Sequence, residues 1–187
     1  MNSHLQVDHQ ENMFSPGDAF GKSEQAGKAA ERELTKVPSG FKSDIYTLQK
    51  EMADRIASGD LKESEMLLMH TFAPGVYVRT AHLKAGSIVV GKIHKHAHAN
   101  ILSQGDVTVI TESQGQQRLT GFMPMVSEAG TKRAVYVHKD AIWTTIHLTN
   151  STDLAEIEKE LIAETYEQYE TFLLEKENDM KSIEVTK

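Results

Sequence analysis

Between Gly86 and Gly105, the residues Lys92, His94, His96 and His98 recur at every second position. Alternate residues of a straight strand share a face, so the four nitrogen side chains would stand together. With His94, His96 and His98 on one face, the spacing suits imidazole ligation of Zn, Fe, Mn or Ni. The same spacing also fits an exposed polar face on an outer strand. Seven of the nine histidines (His70, His82, His94, His96, His98, His138, His147) fall between positions 70 and 147, which concentrates any imidazole chemistry in that block. Further along, Trp143, Thr145 and His147 alternate with Ile142, Ile146 and Leu148. An aromatic ring beside a hydroxyl and an imidazole makes a second candidate face, suited to a sugar or a base, although a tryptophan more commonly serves packing.

These side chains need a scaffold, and from Thr71 the apolar period is two. Val76, Val78 and Leu83, then 88–90, 107–109, 135–137 and 142–148, form short apolar runs, with Pro74-Gly75, Gly86, Gly105, Gly115, Gly121 and Gly130 between them. Short strands separated by such turns predict an antiparallel sandwich or barrel over residues 70–150. Ahead of it, Ile45, Leu48, Met52 and Ile56 have helical spacing, with Ser43 and Asp44 as candidate caps and Gly59 as a stop, giving a helical lead-in over 43–69. Behind it, Ser151, Thr152 and Asp153 precede Leu154, Ile157, Leu161, Ile162, Tyr166, Tyr169, Phe172 and Leu173. That pattern predicts one long amphipathic helix over 151–178, its stripe packed on the barrel or on another subunit, and a frayed tail over 179–187.

Residues 1–42, rich in Ser, Gln, Gly, Lys and Glu, cannot bury enough surface to fold alone and read as an extended or disordered arm. Met13, Phe14 and Phe20 are its candidate anchors for docking on a partner. The net charge is −7, and residues 153–187 account for all of it, with 11 acidic and 4 basic side chains. A neutral body with an acidic appendage argues against duplex nucleic acid and against an anionic membrane surface. With no cysteine, neither a disulfide nor a thiolate site is available. No basic region followed by an apolar run opens the chain, and no stretch has the roughly 20 apolar residues that span a bilayer, so a protein not exported by a standard signal is expected.

The block from Gly86 resembles the cupin superfamily, whose first motif runs Gly, five residues, His-x-His, three or four residues, Glu, six residues, Gly. Here Gly86 is followed by five residues, Lys92-Ile93-His94, three residues, His98, six residues and Gly105. In this register Lys92 stands for the first histidine and His98 for the glutamate, His94 is retained, and His96 falls in a turn. The second motif, Pro-x-Gly-x-x-His, is nearest to Glu128-Ala129-Gly130-Thr131-Lys132-Arg133, which puts Arg133 at the last ligand position. Arginine stays protonated and has no lone pair for a metal. The resemblance implies a mainly β fold, a double-stranded β-helix (jelly-roll barrel) with the two helical segments at its flanks.

Three readings of the pocket remain open. Lys92, His94, His98 and Arg133 would make a cationic pocket for a carboxylate or phosphate. Alternatively, His138 or His147 would complete a three-histidine metal site with His94 and His98. The pocket would otherwise be vestigial, the barrel serving as a scaffold. Residues 72–79, 91–94, 100–105, 129–133 and 143–147 further resemble small cupin-like proteins of tailed bacteriophages. This implies a phage particle or the cytoplasm of an infected bacterium as the location, and other phage proteins, a host protein or further copies of the chain as partners. A non-enzymatic assembly component docking through its arm is the first expectation. An anion- or nucleotide-binding module is the second, and a metal-dependent isomerase or dioxygenase the third.

Overall fold

The computed structural model describes residues 13–15, 40–64 and 66–185. Phe20, most of the expected arm and the last two residues of the expected tail lie outside them. Among the described residues, the chain folds as a mainly β jelly-roll barrel with one helix before it and two after it. The strands are β1 (Met13–Ser15), β2 (Lys62–Glu63), β3 (Leu67–Ala73), β4 (Val76–Leu83), β5 (Ile88–Val90), β6 (Ile93–His94), β7 (His98–Thr111), β8 (Gly115–Thr120), β9 (Met123–Ser127), β10 (Arg133–Leu148) and β11 (Ile162–Ala163); the helices are α1 (Phe41–Ala57), α2 (Leu154–Leu161) and α3 (Tyr166–Val185).

Two long strands make the barrel. β7 and β10 pair along nearly their whole length, and each passes from one sheet into the other. In one sheet the second half of β10 pairs with β4, β4 with β3, and the first half of β7 with β9; in the other, the first half of β10 pairs with β5 and the second half of β7 with β8. The crossing is bent. Register shifts fall between Val137 and Trp143, and opposite them Gly105 (φ +118°) lies so close to β10 that a Cβ would sit 2.6 Å from the Ala141 Cα. Only glycine suits that position.

Alternation along the strands sorts the side chains. Leu68, Ala81, Leu83, Leu102, Val107, Val135, Val137 and Trp143 fill the interior. Even-numbered Ile88, Val90, Ile110 and Ala134 face outward, where α1 covers them with Phe41, Ile45 and Met52. α1 begins before the expected caps: Gly40 is its N-cap, and the buried Phe41 anchors the first turn. β1 lies against β5 and β2, with Met13 opposite Val89 and Phe14 opposite both Ile88 and Glu63.

The single helix expected after Ser151 is instead two. Asp153 caps α2, its side chain accepting from the Glu156 N–H. The helix stops at Ile162, whose backbone is extended (φ −115°, ψ 140°), because Ile162 and Ala163 pair with His94 and Ile93 of β6. A buried strand pairing overrides helical periodicity, and the β-branched Ile162 favours it. α3 then runs on to Val185 through the stretch expected to fray, with a Glu177–Lys181 pair at 2.7 Å. Among the described residues, no helix is long and apolar enough to cross a membrane.

Candidate functional site

His94, His98 and His147 meet in the barrel. His94 ends β6, a bend at Lys95–Ala97 turns the chain, His98 opens β7, and His147 reaches the same place from the far end of β10. The ring centroids are 4.1 Å apart for His94 and His98, 4.6 Å for His98 and His147, and 5.0 Å for His94 and His147. One ligating nitrogen from each ring lies within 4.8 Å of the others. His98 and His147 are buried, and the Nδ1 of His94 is shut off from solvent with no hydrogen-bond partner among the described residues.

The straight strand with three histidines on one face is therefore not formed. The bend swings His96 to the outside, edge-on to Phe172 at 5.3 Å. His138 is not brought to the site either. It lies on β10 nine positions from His147, an odd separation that puts the two on opposite faces, and its Nε2 is bonded to the Thr108 hydroxyl at 2.7 Å. His147 is the third imidazole.

Protonation favours ligation. Burial above all, then the neighbouring His98 and His147 and the Arg133 and Arg79 guanidinium groups, holds His94 well below the usual imidazole range. Burial lowers His98 to about 4, against the upward pull of its bond to the His96 carbonyl. His147 is lowered to about 3, again chiefly by burial, with His98 and Arg79 next. All three are neutral near pH 7, and each keeps a lone pair. The His98 Nδ1 donates to the His96 carbonyl at 3.2 Å, which leaves Nε2 as the lone-pair atom directed inward. Such a backbone bond is how a ligating histidine is commonly oriented.

The expected cationic residues divide. Lys92 is paired with Glu158 of α2 and lies 3.9 Å from Glu164, so its charge is matched there rather than offered to the pocket. Arg133 is buried; it donates to the Ser127 hydroxyl at 2.7 Å and to the His98 Nε2 at 3.3 Å, with its Cζ 5.4 Å from the Trp143 ring centroid. Trp143 is part of the barrel wall, its Nε1 donating to the fully buried Asn100 at 3.0 Å. Its face is covered by Arg133 and is not an open platform for a sugar or base.

Sequence reasoning missed His70, Tyr77, Arg79, Asn100 and Ser127. His70 and Tyr77 share a 2.7 Å hydrogen bond, and Tyr77 stacks toward His147 at 6.2 Å. The signal was present in β4, where Tyr77 and Arg79 alternate in phase with the inward Ala81 and Leu83. Arg79, Lys92 and His94 line both of two small clefts open to solvent, one bounded by Tyr77, His147 and the α2 residues Ile157, Glu158 and Leu161, the other by Met66, Trp143 and Arg133.

No protein-family model matches the chain, and no curated protein matches it in sequence. Among solved structures, it is similar to an ectoine synthase from P. lautus, with 13% identity over 51% of this chain and 71% of that one at a TM-score of 0.43. It is also similar to an acetylacetone dioxygenase from Acinetobacter johnsonii (13% identity, 46% of this chain, 61% of that one, TM-score 0.40). A third is an RmlC-like cupin family protein with a double-stranded β-helix fold from Methanocaldococcus jannaschii (10% identity, 46% of this chain, 81% of that one, TM-score 0.39).

Proposed function

We propose that this chain is a cupin-type barrel that holds one divalent metal ion (Fe, Mn, Ni or Zn) on His94, His98 and His147, with Arg79 and Arg133 beside it to receive an anionic small molecule. The observation that carries the reading is the convergence of three neutral, shielded imidazoles, one of them with a buried Nδ1 that no group among the described residues satisfies. Buried polar atoms are normally partnered, and an ion would partner this one. The Arg133 bond to the His98 Nε2 is long, and Ser127 gives the same guanidinium nitrogen a shorter one, so His98 is readily yielded to a cation. A bound ion would supply a Lewis acid at the head of the cleft. The protein's own part is to bind and orient: α2 roofs the cleft, Glu158 keeps Lys92 off the ion, and the two guanidinium groups favour a carboxylate or phosphate.

The test is metal content per chain by elemental analysis, in parallel for the untagged protein and a His94→Ala/His98→Ala variant, with circular dichroism to confirm folding. Near-stoichiometric metal in the first and none in the folded variant is expected. A parent that stays metal-free after exposure to each of the four ions and removal of the excess would leave the arginine-flanked pocket to anions alone. Membership of a bacteriophage particle is a separate proposal, resting on the sequence resemblance, and immunodetection of the chain in purified particles would test it.

A further inference from the structure

We infer that the cleft under α2 has a second acid-binding position, on Lys92, which Glu158 fills in this structure and from which the far acidic group of a small dicarboxylate displaces it. The inference rests on the anion-binding part of the function proposed above. Lys92 and Arg79 line both clefts beside His94, and Arg133 lines the second. Among the described residues that line the two, Glu158 is the one carboxylate, against these three cationic side chains. It is bonded to the Lys92 ammonium, so the protein's own side chain demonstrates that a carboxylate fits there. Leu68, Ile157 and Leu161 line the same cleft and supply an apolar wall for the few methylene groups between two acidic ends.

The exchange does not require α2 to leave. The Lys92 and Glu158 side chains are 20% and 34% exposed, and an ion pair open to solvent is weak. The helix has other ties: the Lys95 N–H donates to the Leu161 carbonyl at 2.7 Å, the Lys95 ammonium to the Lys159 carbonyl at 2.7 Å, and the Thr149 hydroxyl to the Glu160 carboxylate at 2.6 Å. Glu158 can therefore turn toward solvent while the roof stays docked. Two acidic groups are needed because Glu158 is tethered beside Lys92 and acts there at a high effective concentration. A free monocarboxylate competes poorly with it. A dicarboxylate whose first group is held by Arg79, or by the ion, presents its second group tethered as well and competes on equal terms. Glu164, 3.9 Å from the same ammonium but 62% exposed, lines neither cleft.

The experiment is isothermal titration calorimetry of the untagged protein with malonate, succinate and glutarate. Propionate, butyrate and valerate are the monocarboxylates of matching carbon number. Three proteins are compared: the parent, Glu158→Gln, and Lys92→Met/Glu158→Gln, which keeps the parent's net charge. Circular dichroism checks folding, and metal content is measured on the same samples. The parent is expected to bind one dicarboxylate more tightly than its monocarboxylate counterpart. Glu158→Gln should tighten that dicarboxylate by up to about fivefold, the upper worth of a partly exposed ion pair. The folded double variant should bind the two acids alike. Monocarboxylate binding with no dicarboxylate advantage in the parent overturns the inference and leaves the proposed function standing. A Glu158→Gln variant with no gain, or a folded double variant that keeps the preference, also overturns it. No binding of any of the six acids removes the anion-binding reading and the inference together, whereas a metal-free protein with the expected contrast supports the inference and removes only the ion.

Discussion

Asn100 has no accessible surface, and its amide is used at both ends: Oδ1 accepts from the Trp143 indole, and Nδ2 donates to Ser127, which in turn accepts from Arg133. This chain of hydrogen bonds fixes the guanidinium behind His98. Replacing Asn100 with Leu keeps the volume but leaves the indole N–H without its acceptor, at about 1–3 kcal/mol, while Ser127 keeps Arg133 as a donor. Asn100→Leu should lower the unfolding free energy by roughly 1–3 kcal/mol in urea titrations; a loss within error would mean water restores the bond to the indole. The sequence displayed half of this site. The Gly86 to Gly105 spacing pointed to His94 and His98, and alternation put His147 on the Trp143 face, but His138 stayed a candidate until the fold placed it against Thr108. The engagement of Lys92 was not legible, because its partner Glu158 lies 66 positions away and only the packed fold brings them together.

At the scale of elements, α2 does more than bury a stripe. Ile157 and Leu161 pack on Tyr77, and Glu158 reaches Lys92, so the helix is pinned across the cleft by an apolar contact and an ion pair. Lys92→Met should loosen that roof, and a double-mutant cycle with Glu158→Gln should give a coupling near 1 kcal/mol, as expected for partly exposed charges. Metal content should not change; loss of metal from folded Lys92→Met would make Lys92 a ligand. The helical period across residues 154–173 concealed the break at Ile162, since periodicity reports which side of a helix is apolar but not whether another strand competes for its backbone. Gly130 marks where α3 docks: a Cβ there would lie 2.5 Å from the Tyr169 ring.

Across the whole molecule, the alternation of apolar residues and the glycine punctuation were enough to predict a barrel, because each strand has one face inside it. Which outer face α1 would cover was not readable, since both outer faces are apolar. Acid stability belongs to this scale as well. Asp106 of β7 is bonded by Arg118 of β8 through two nitrogens at 2.8 and 2.9 Å, which holds its carboxyl below the ordinary value of 3.8. A carboxyl lowered in the fold stabilises at pH values above its unfolded pKa, and that contribution is lost as pH falls through the folded one. Arg118→Gln should therefore be less stable than the parent by under about 1 kcal/mol at neutral pH, with the gap closing below pH 3.8. Urea unfolding across pH checks this, and a gap that widens in acid would refute it.

The two-residue pairing of β6 with β11 has a consequence in time. His94 is held on one side by Ile162 and on the other by the Gly130 N–H, which donates to its carbonyl at 2.8 Å. Chains are synthesised from the N-terminus and fold as segments become available. All the barrel strands from β3 to β10 leave the ribosome before Ile162 does, so a nascent barrel can close while His94 still lacks one of its neighbours. Of the two backbone partners of His94, Ile162 is therefore the later to be synthesised.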